Sequence, residues 1–231
     1  MPVALITGAS QGLGRALARD LSADGWSLVL DARGEERLTE AVFGMDPART
    51  RALPGDVTDH QHRVELVAAA WDLGGLDLLV NNASHLGPSP MPRLADYPTV
   101  DLARVLEVDV VAPHALLREA LPLLRRTGGT VVDISSDAAV EAYEGWGGYG
   151  AAKAALDHLS AVLAIEEPDL RVYAVDPGDM RTAMHQAAFP GEDISDRPEP
   201  ETVVPALRAL LDRRPPSGRY RAAELVAGAL R

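Results

Sequence analysis

Short apolar runs alternate with amphipathic stretches along almost the whole chain. Val3-Ala4-Leu5-Ile6-Thr7 is apolar up to a β-branched end and stops abruptly at Gly8. A run with no polar alternation predicts a strand buried on both faces. Beyond it, Ala16, Leu17, Ala18 and Leu21 recur at helical spacing. Further strands are predicted over 27–31, around 51–53, and over 76–80, 130–135 and 171–175. Between them, helices are predicted over 35–43, 59–73, 99–124 and 147–165. Pro113 is expected to interrupt the long 99–124 stretch, and Pro122 falls close to its end. A last helical pattern covers 201–213, and 218–221 is a candidate seventh strand.

Strands alternating with helices imply right-handed βαβ units. The expected fold class is α/β: a Rossmann-type doubly wound parallel sheet of six to seven strands with helices on both faces. At 231 residues the chain reads as a single domain, 1–231. In such sheets ligands bind beyond the carboxyl ends of the strands. Gly8, Asn81, Ser136 and Pro177 all fall at such ends, so the site is expected along one sheet edge. Residues 183–200 break the pattern with Pro, Gly and acidic residues around Met184, Phe189 and Ile194. Following the sixth strand at that edge, they read as a substrate lid.

Charge and composition narrow the partners. A formal net charge of -12 argues against nucleic acid and against an anionic membrane surface. The chain has no cysteine, which removes disulfides, thiol catalysis and Cys-ligated metals. No His, Asp and Glu grouping has metal-site spacing, so no metal is expected. The start, MPVALITGAS, lacks a basic segment followed by an apolar one, and no long apolar run occurs later. A cytoplasmic location is expected.

Two stretches carry candidate chemistry. Gly8-Ala9-Ser10-Gln11-Gly12-Leu13-Gly14 lies between a strand and a helix, where glycines allow close backbone approach to a pyrophosphate at a helix N-terminus. The second stretch holds Ser136, Tyr149 and Lys153. Lys153 is the only lysine in the chain; arginine supplies the other side-chain cations. An ammonium shifts its pKa readily and turns its donors toward several partners, which a guanidinium does not. Tyr149 and Lys153, four apart on a helix, share a face. A phenol titrates near pH ~10, so proton transfer near neutrality needs an ion such as Lys153 to favour the phenolate. Ser136, at the end of a strand, could hydrogen-bond a substrate oxygen. Alone, the Tyr–Lys spacing fits two surface residues better; it becomes informative only with the rest of the chain.

Together these residues resemble the short-chain dehydrogenase/reductase family, in its compact single-domain branch, over nearly the whole chain. Thr7 to Gly14 is similar to the family's TGxxxGxG motif, and Asn81-Asn82-Ala83 to NNAG with Ser84 in the glycine position. Ser136, Tyr149 and Lys153 match the catalytic trio, and Pro177-Gly178 with Thr182 matches PGxxxT over the nicotinamide. The resemblance implies that Gly8, Ser10, Gln11, Gly12, Leu13, Gly14, Asp56, Val57, Asn82, Ala83, Pro177, Gly178 and Thr182 bind the dinucleotide, Asp56 through the adenine amino group. It also implies that Tyr149 exchanges a proton with a carbonyl or alcohol oxygen held by Ser136. Lys153 would bind the nicotinamide ribose and depress the tyrosine pKa. In place of the family's usual Asn stands Asp109, a further candidate at the catalytic centre, which either accepts the same water or raises the Lys153 pKa.

Cofactor choice rests on the end of the second strand. Aligned from Gly14, the position of the acid in NAD-preferring relatives is Ala32, followed by Arg33, which suits a phosphate. Asp31 sits one residue early and should point to the other face. NADP(H) is therefore favoured, with NAD(H) possible, although Gln11 stands where many NADP-preferring relatives carry a basic residue. His85, Tyr143, Trp146 and Met184 are candidate substrate-binding residues. The reading is a reductase or dehydrogenase acting on a small-molecule ketone, aldehyde or alcohol. A non-catalytic dinucleotide-binding sensor or scaffold and a non-redox lyase or isomerase on the same fold stay open. A homodimer or homotetramer built on helices from 101–125 and 147–165 is expected by the resemblance.

Overall fold

Seven strands form one parallel sheet in the computed structural model, which describes residues 1–226. They are β1 (Val3–Ile6), β2 (Ser27–Ala32), β3 (Thr50–Pro54), β4 (Leu78–Asn81), β5 (Thr130–Ile134), β6 (Arg171–Asp176) and β7 (Gly218–Arg221). Their spatial order is β3-β2-β1-β4-β5-β6-β7. The helices are α1 (Gly12–Ala23), α2 (Glu35–Ala41), α3 (His60–Asp72), α4 (Thr99–Leu106), α5 (Ala112–Thr127), α6 (Gly147–Glu166), α7 (Ala183–Ala188), α8 (Val204–Arg213) and α9 (Ala222–Val226).

The continuous apolarity of β1 follows from its place at the centre. Val3 and Leu5 pack on one face with Leu66 of α3, Leu116 of α5 and Leu163 of α6. Ala4 and Ile6 pack on the other with Leu17 and Leu21 of α1 and Leu207 of α8. Residues of alternate parity thus enter separate cores, and neither can be polar. Strand order reverses between β1 and β4, which opens a crevice beyond their carboxyl ends.

The long helical stretch is interrupted, but not at Pro113. A π-helical turn, Glu107–Val111, joins α4 to α5. Pro113 lies in the first turn of α5, where its missing N–H needs no partner. The π turn buries Val108 and Asp109, and such turns are frequent at functional sites. Pro122 sits inside α5, which continues to Thr127. The last predicted helix begins at Val204, after a 3₁₀ turn over Pro200–Thr202.

The segment 183–200 is more ordered than its composition suggests. Thr182 caps α7 by accepting the His185 N–H at 3.1 Å. Ser89 donates to the Ala187 carbonyl at 2.6 Å, and Arg181 N–H to the Pro198 carbonyl at 2.8 Å. Among the described residues no helix is long and apolar enough to cross a membrane.

Leu5 is fully buried at the middle of the sheet. Leu5→Ala is expected to remove about 2–5 kcal/mol of stability. The loss should appear as a lower urea midpoint with an unchanged slope.

Candidate active site

The loops after the strands enclose a cavity of about 840 Å³ along the carboxyl edge. It reaches from Arg33 and Asp56, after β2 and β3, to Ser136, Tyr149, Lys153 and Met184.

The glycine turn forms its floor. Gly8, at φ +66°, lies so close to Ala83 that a β-carbon would sit 2.9 Å from the Ala83 Cα. At Gly14 a β-carbon would stand 2.6 Å from the Gly8 carbonyl oxygen, so this glycine seats the helix under the turn and does not face the cavity. Ser10, Gln11, Gly12 and Leu13 do face it. Gln11, the N-cap of α1, provides no side-chain hydrogen bond, which leaves first-turn N–H groups to an anion. Asn82 staples the turn: its Nδ2 donates to the Thr7 and Gly8 carbonyls at 2.8 and 3.1 Å. Thr7 Oγ1 accepts the Asn82 and Ala83 N–H groups, both at 3.0 Å.

At the β2–β3 end, Asp31 reaches His62 of α3 at 2.7 Å yet still borders the cavity, so it does not turn fully to the other face. The hydrogen bond that this carboxylate accepts raises the His62 pKa against the opposing effect of burial. Burial outweighs His62 at Asp31, which is pushed up. Arg33 is exposed at the rim, and Arg15, also lining the cavity, has a buried Nε without a partner. Asp56 accepts Thr58 N–H and Oγ1 at 2.9 and 2.8 Å and Arg104 Nη2 at 2.7 Å. Burial opposes its ionisation, yet these partners hold its pKa below the usual carboxylate value. Val57 and Ala83 line the adjoining wall.

At the other end, α6 places Tyr149 and Lys153 one turn apart, both buried. Lys153 Nζ lies 5.4 Å from the Tyr149 ring centroid, donates to the Ile134 carbonyl at 2.9 Å, and stands 3.4 Å from Asp109 Oδ2. Ser136 Oγ accepts the Ala138 N–H at 3.1 Å and donates to Asp137 Oδ1 at 2.9 Å. Asp109 is fully buried behind the cavity wall, where it accepts Ser84 Oγ–H at 2.5 Å and His85 N–H at 2.7 Å. The two departures from the family pattern, Ser84 and Asp109, are hydrogen-bonded to each other.

The electrostatics differ from the expectation of a depressed tyrosine pKa. Burial pushes the Tyr149 phenol up; Lys153 pulls it down, Asp109 pushes it back, and the net direction is upward. At Lys153 burial favours the neutral amine, but Asp109 and Tyr149 outweigh it and raise the pKa.

His85, Trp146, Met184, Pro177, Gly178 and Thr182 all line the cavity. Tyr143 does not. Its ring packs edge-on against Trp146 at 6.3 Å, and its hydroxyl turns outward to Glu141 at 2.8 Å and Asp137 at 3.1 Å. His185, on the lid, is largely buried against Phe189 and lines the cavity. Sequence reasoning also missed Arg219 of β7, which donates to the Ser136 carbonyl at 2.8 Å and to Asp157 at 2.9 Å. Nothing local marks that residue. Ser84 did carry a signal, as a serine in a glycine position.

A doubly wound sheet, a glycine turn at its switch point and a buried Ser–Tyr–Lys set on the same edge define a nucleotide-dependent oxidoreductase. A family model described as short chain dehydrogenase matches residues 2–193, and the chain belongs to that family. It is similar to dehydrogenase/reductase SDR family member 4 of Oryctolagus cuniculus, 31% identical over 89% of this chain and 79% of the relative. A short chain dehydrogenase from Shigella flexneri, solved in complex with NADP, superposes with a TM-score of 0.89 at 27% identity, covering 96% of this chain and 97% of that one. An alcohol dehydrogenase from Thermococcus sibiricus, complexed with 5-hydroxy-NADP, gives 0.84 at 29% identity over 96% and 95%. The protein is an NAD(P)-dependent oxidoreductase.

Because the His62 pKa is raised above 6.5 in the fold, its pairing with Asp31 stabilises fully below that pH. The contribution fades as pH rises through the folded value. The stability gap between wild type and His62→Gln should therefore be widest just below pH 6.5 and narrow again in stronger acid, where Asp31, itself raised by burial, takes up a proton; urea titrations giving a pH-independent gap would refute the pairing.

Proposed function

We propose that the protein interconverts a carbonyl and an alcohol with NADP(H), using Tyr149 as the acid and base. The observation that carries this reading is the chain's sole lysine, buried one turn from Tyr149 and sharing a cavity with Ser136 and the glycine turn. The cavity suits a dinucleotide. It runs from Arg33 and Asp56 to Tyr149 and Met184, its floor is a glycine cradle, and the first turn of α1 has no side-chain cap. Gly8, Ser10, Gln11, Gly12 and Leu13 would hold the phosphates, Asp56 and Val57 the adenine, and Lys153, Pro177, Gly178 and Thr182 the nicotinamide half. Arg33 and the unpartnered Arg15 favour a 2′-phosphate, and Asp31 is occupied by His62. The NADP and 5-hydroxy-NADP bound in the Shigella and Thermococcus structures support that preference.

A bound nicotinamide would supply or accept hydride at the substrate carbon. In reduction, Tyr149 gives its phenolic proton to the carbonyl oxygen; in oxidation it takes the alcohol proton. Ser136 turns its hydroxyl from Asp137 to that oxygen and stabilises the charge that develops there. Residues 183–200 act as a lid, with Met184, His185 and Ala188 closing the substrate side. Trp146 packs edge-on against Tyr149 (5.8 Å) and tilted against Phe189 (5.9 Å), giving the reacting end an apolar wall. Exposed Leu159, Val162 and Ile165 on α6 support a homo-oligomer, with a dimer or tetramer as the expected state in light scattering.

Tyr149→Phe should lower kcat by about 10²–10⁴ while NADPH still binds, measured by steady-state kinetics on a ketone and alcohol panel. Binding without turnover in the wild type would favour a sensor instead. Arg33→Ala should weaken NADPH about 10–100-fold, the loss of one charge-assisted contact, with little change for NADH. Equal losses for both cofactors would remove the 2′-phosphate assignment.

A further inference from the structure

Asp109 Oδ2 is approached from two sides. The Ser84 hydroxyl donates to it at 2.5 Å, and the Lys153 ammonium stands off at 3.4 Å. Oδ1 is taken by the His85 N–H at 2.7 Å. A carboxylate with no exposure must find its partners inside the fold, since an unpaired buried charge is strongly destabilising. If Ser84 did not occupy Oδ2, Lys153 would be the remaining donor. Lys153 already spends one N–H on the Ile134 carbonyl at 2.9 Å. A second committed to Asp109 would draw its charge from the phenol.

We propose that Ser84 is a positioning residue of the proton-transfer centre: its hydroxyl competes with Lys153 for Asp109 Oδ2 and so decides how much of the ammonium's charge is left to act on Tyr149. The inference rests on Tyr149 being the acid and base. Serine suits the task because it is a neutral donor that leaves the cation free.

The other groups around the pair are accounted for. Asp137, after β5, disfavours the phenolate, and Asp133 of β5 supports the ammonium. Burial, then Asp101 and Asp109, push the phenol of Tyr97 up, and its buried hydroxyl makes no hydrogen bond. From α7, His185 turns its Nδ1 toward Asp179, 3.8 Å away. None of these groups replaces the Ser84 hydrogen bond on Oδ2.

The sole lysine makes the test direct, because Lys labelled at Cε and Nζ yields a single side-chain NMR resonance. In Ser84→Ala the Lys153 titration midpoint should rise by about half to one pH unit, as the ammonium closes on Asp109. Ser84→Thr should restore the wild-type midpoint, and Ser84→Gly should match Ser84→Ala if alanine folds poorly. In an Asp109→Asn background, Ser84→Ala should add no shift. In alcohol oxidation, the rising limb of kcat/KM against pH should move upward by a similar amount in Ser84→Ala, since a less stabilised phenolate forms at higher pH. An unchanged Lys153 midpoint in both Ser84→Ala and Ser84→Gly, or an equal shift in the Asp109→Asn background, overturns the proposal. The resonance needs no substrate, so a wild type that turns over no alcohol or ketone would strike at the proposed activity while the role of Ser84 is still read.

Discussion

The buried ammonium of Lys153 is held by the Ile134 carbonyl at 2.9 Å and by Asp109 at 3.4 Å, almost without solvent. A desolvated cation is tolerated only when charge and hydrogen bonds compensate it, and removing one partner of such a pair costs about 3–5 kcal/mol. The end of β5, the π turn before α5 and the first turns of α6 are therefore bound to one another through a single side chain. The same side chain stands over the one tyrosine that faces the cavity at this end. Structural cohesion and candidate chemistry have one source, and the upward pKa of Lys153 records how strongly its surroundings keep it charged.

The rest of the fold is arranged to deliver three backbone segments to that cation. Parallel strands buried on both faces leave little room for polar residues until the chain leaves the sheet, so polar chemistry collects at the strand ends. Reversal of strand order between β1 and β4 keeps helices from covering that place. Where a polar side chain does enter a strand, it serves alignment. Asp133 of β5 accepts Asn81 of β4 at 2.7 Å and Ser160 of α6 at 2.5 Å, fixing α6 against both strands. Burial pushes the Asp133 pKa upward, and its two hydrogen-bond donors and Lys153 oppose that push.

Legibility from sequence tracked how local each signal was. The alternation of apolar runs and helical patterns revealed the sheet, because burial on both faces leaves a mark within five residues. The glycine turn, Ser136, Tyr149 and Lys153 were readable for the same reason. The π turn was not: Glu107–Val111 has ordinary helical residues, and widening by one residue leaves no compositional trace. Pro113 drew attention to the right neighbourhood, although it sits harmlessly in the first turn of α5. Tyr143 failed because it lies before the turn that leads into α6 and its hydroxyl goes to Glu141 and Asp137, while Trp146, just after that turn, lines the cavity. Arg219 was invisible, being brought to the Ser136 carbonyl by β7 from 83 residues away.

Ser84 and Asp109 show a different limit. Each substitution alone looks like a weakness: a side chain where glycine is usual, and a charge where an amide is usual. Only their contact at 2.5 Å shows that one answers the other. A carboxylate introduced beside Lys153 needs a donor other than that lysine if the cation is to keep influencing Tyr149, and a hydroxyl is the smallest group that provides one without adding charge. Compensation of this kind acts across 25 positions of chain and leaves every one-residue reading pessimistic. Departures from a motif are best weighed in pairs, by asking what each new group would need and whether another departure supplies it.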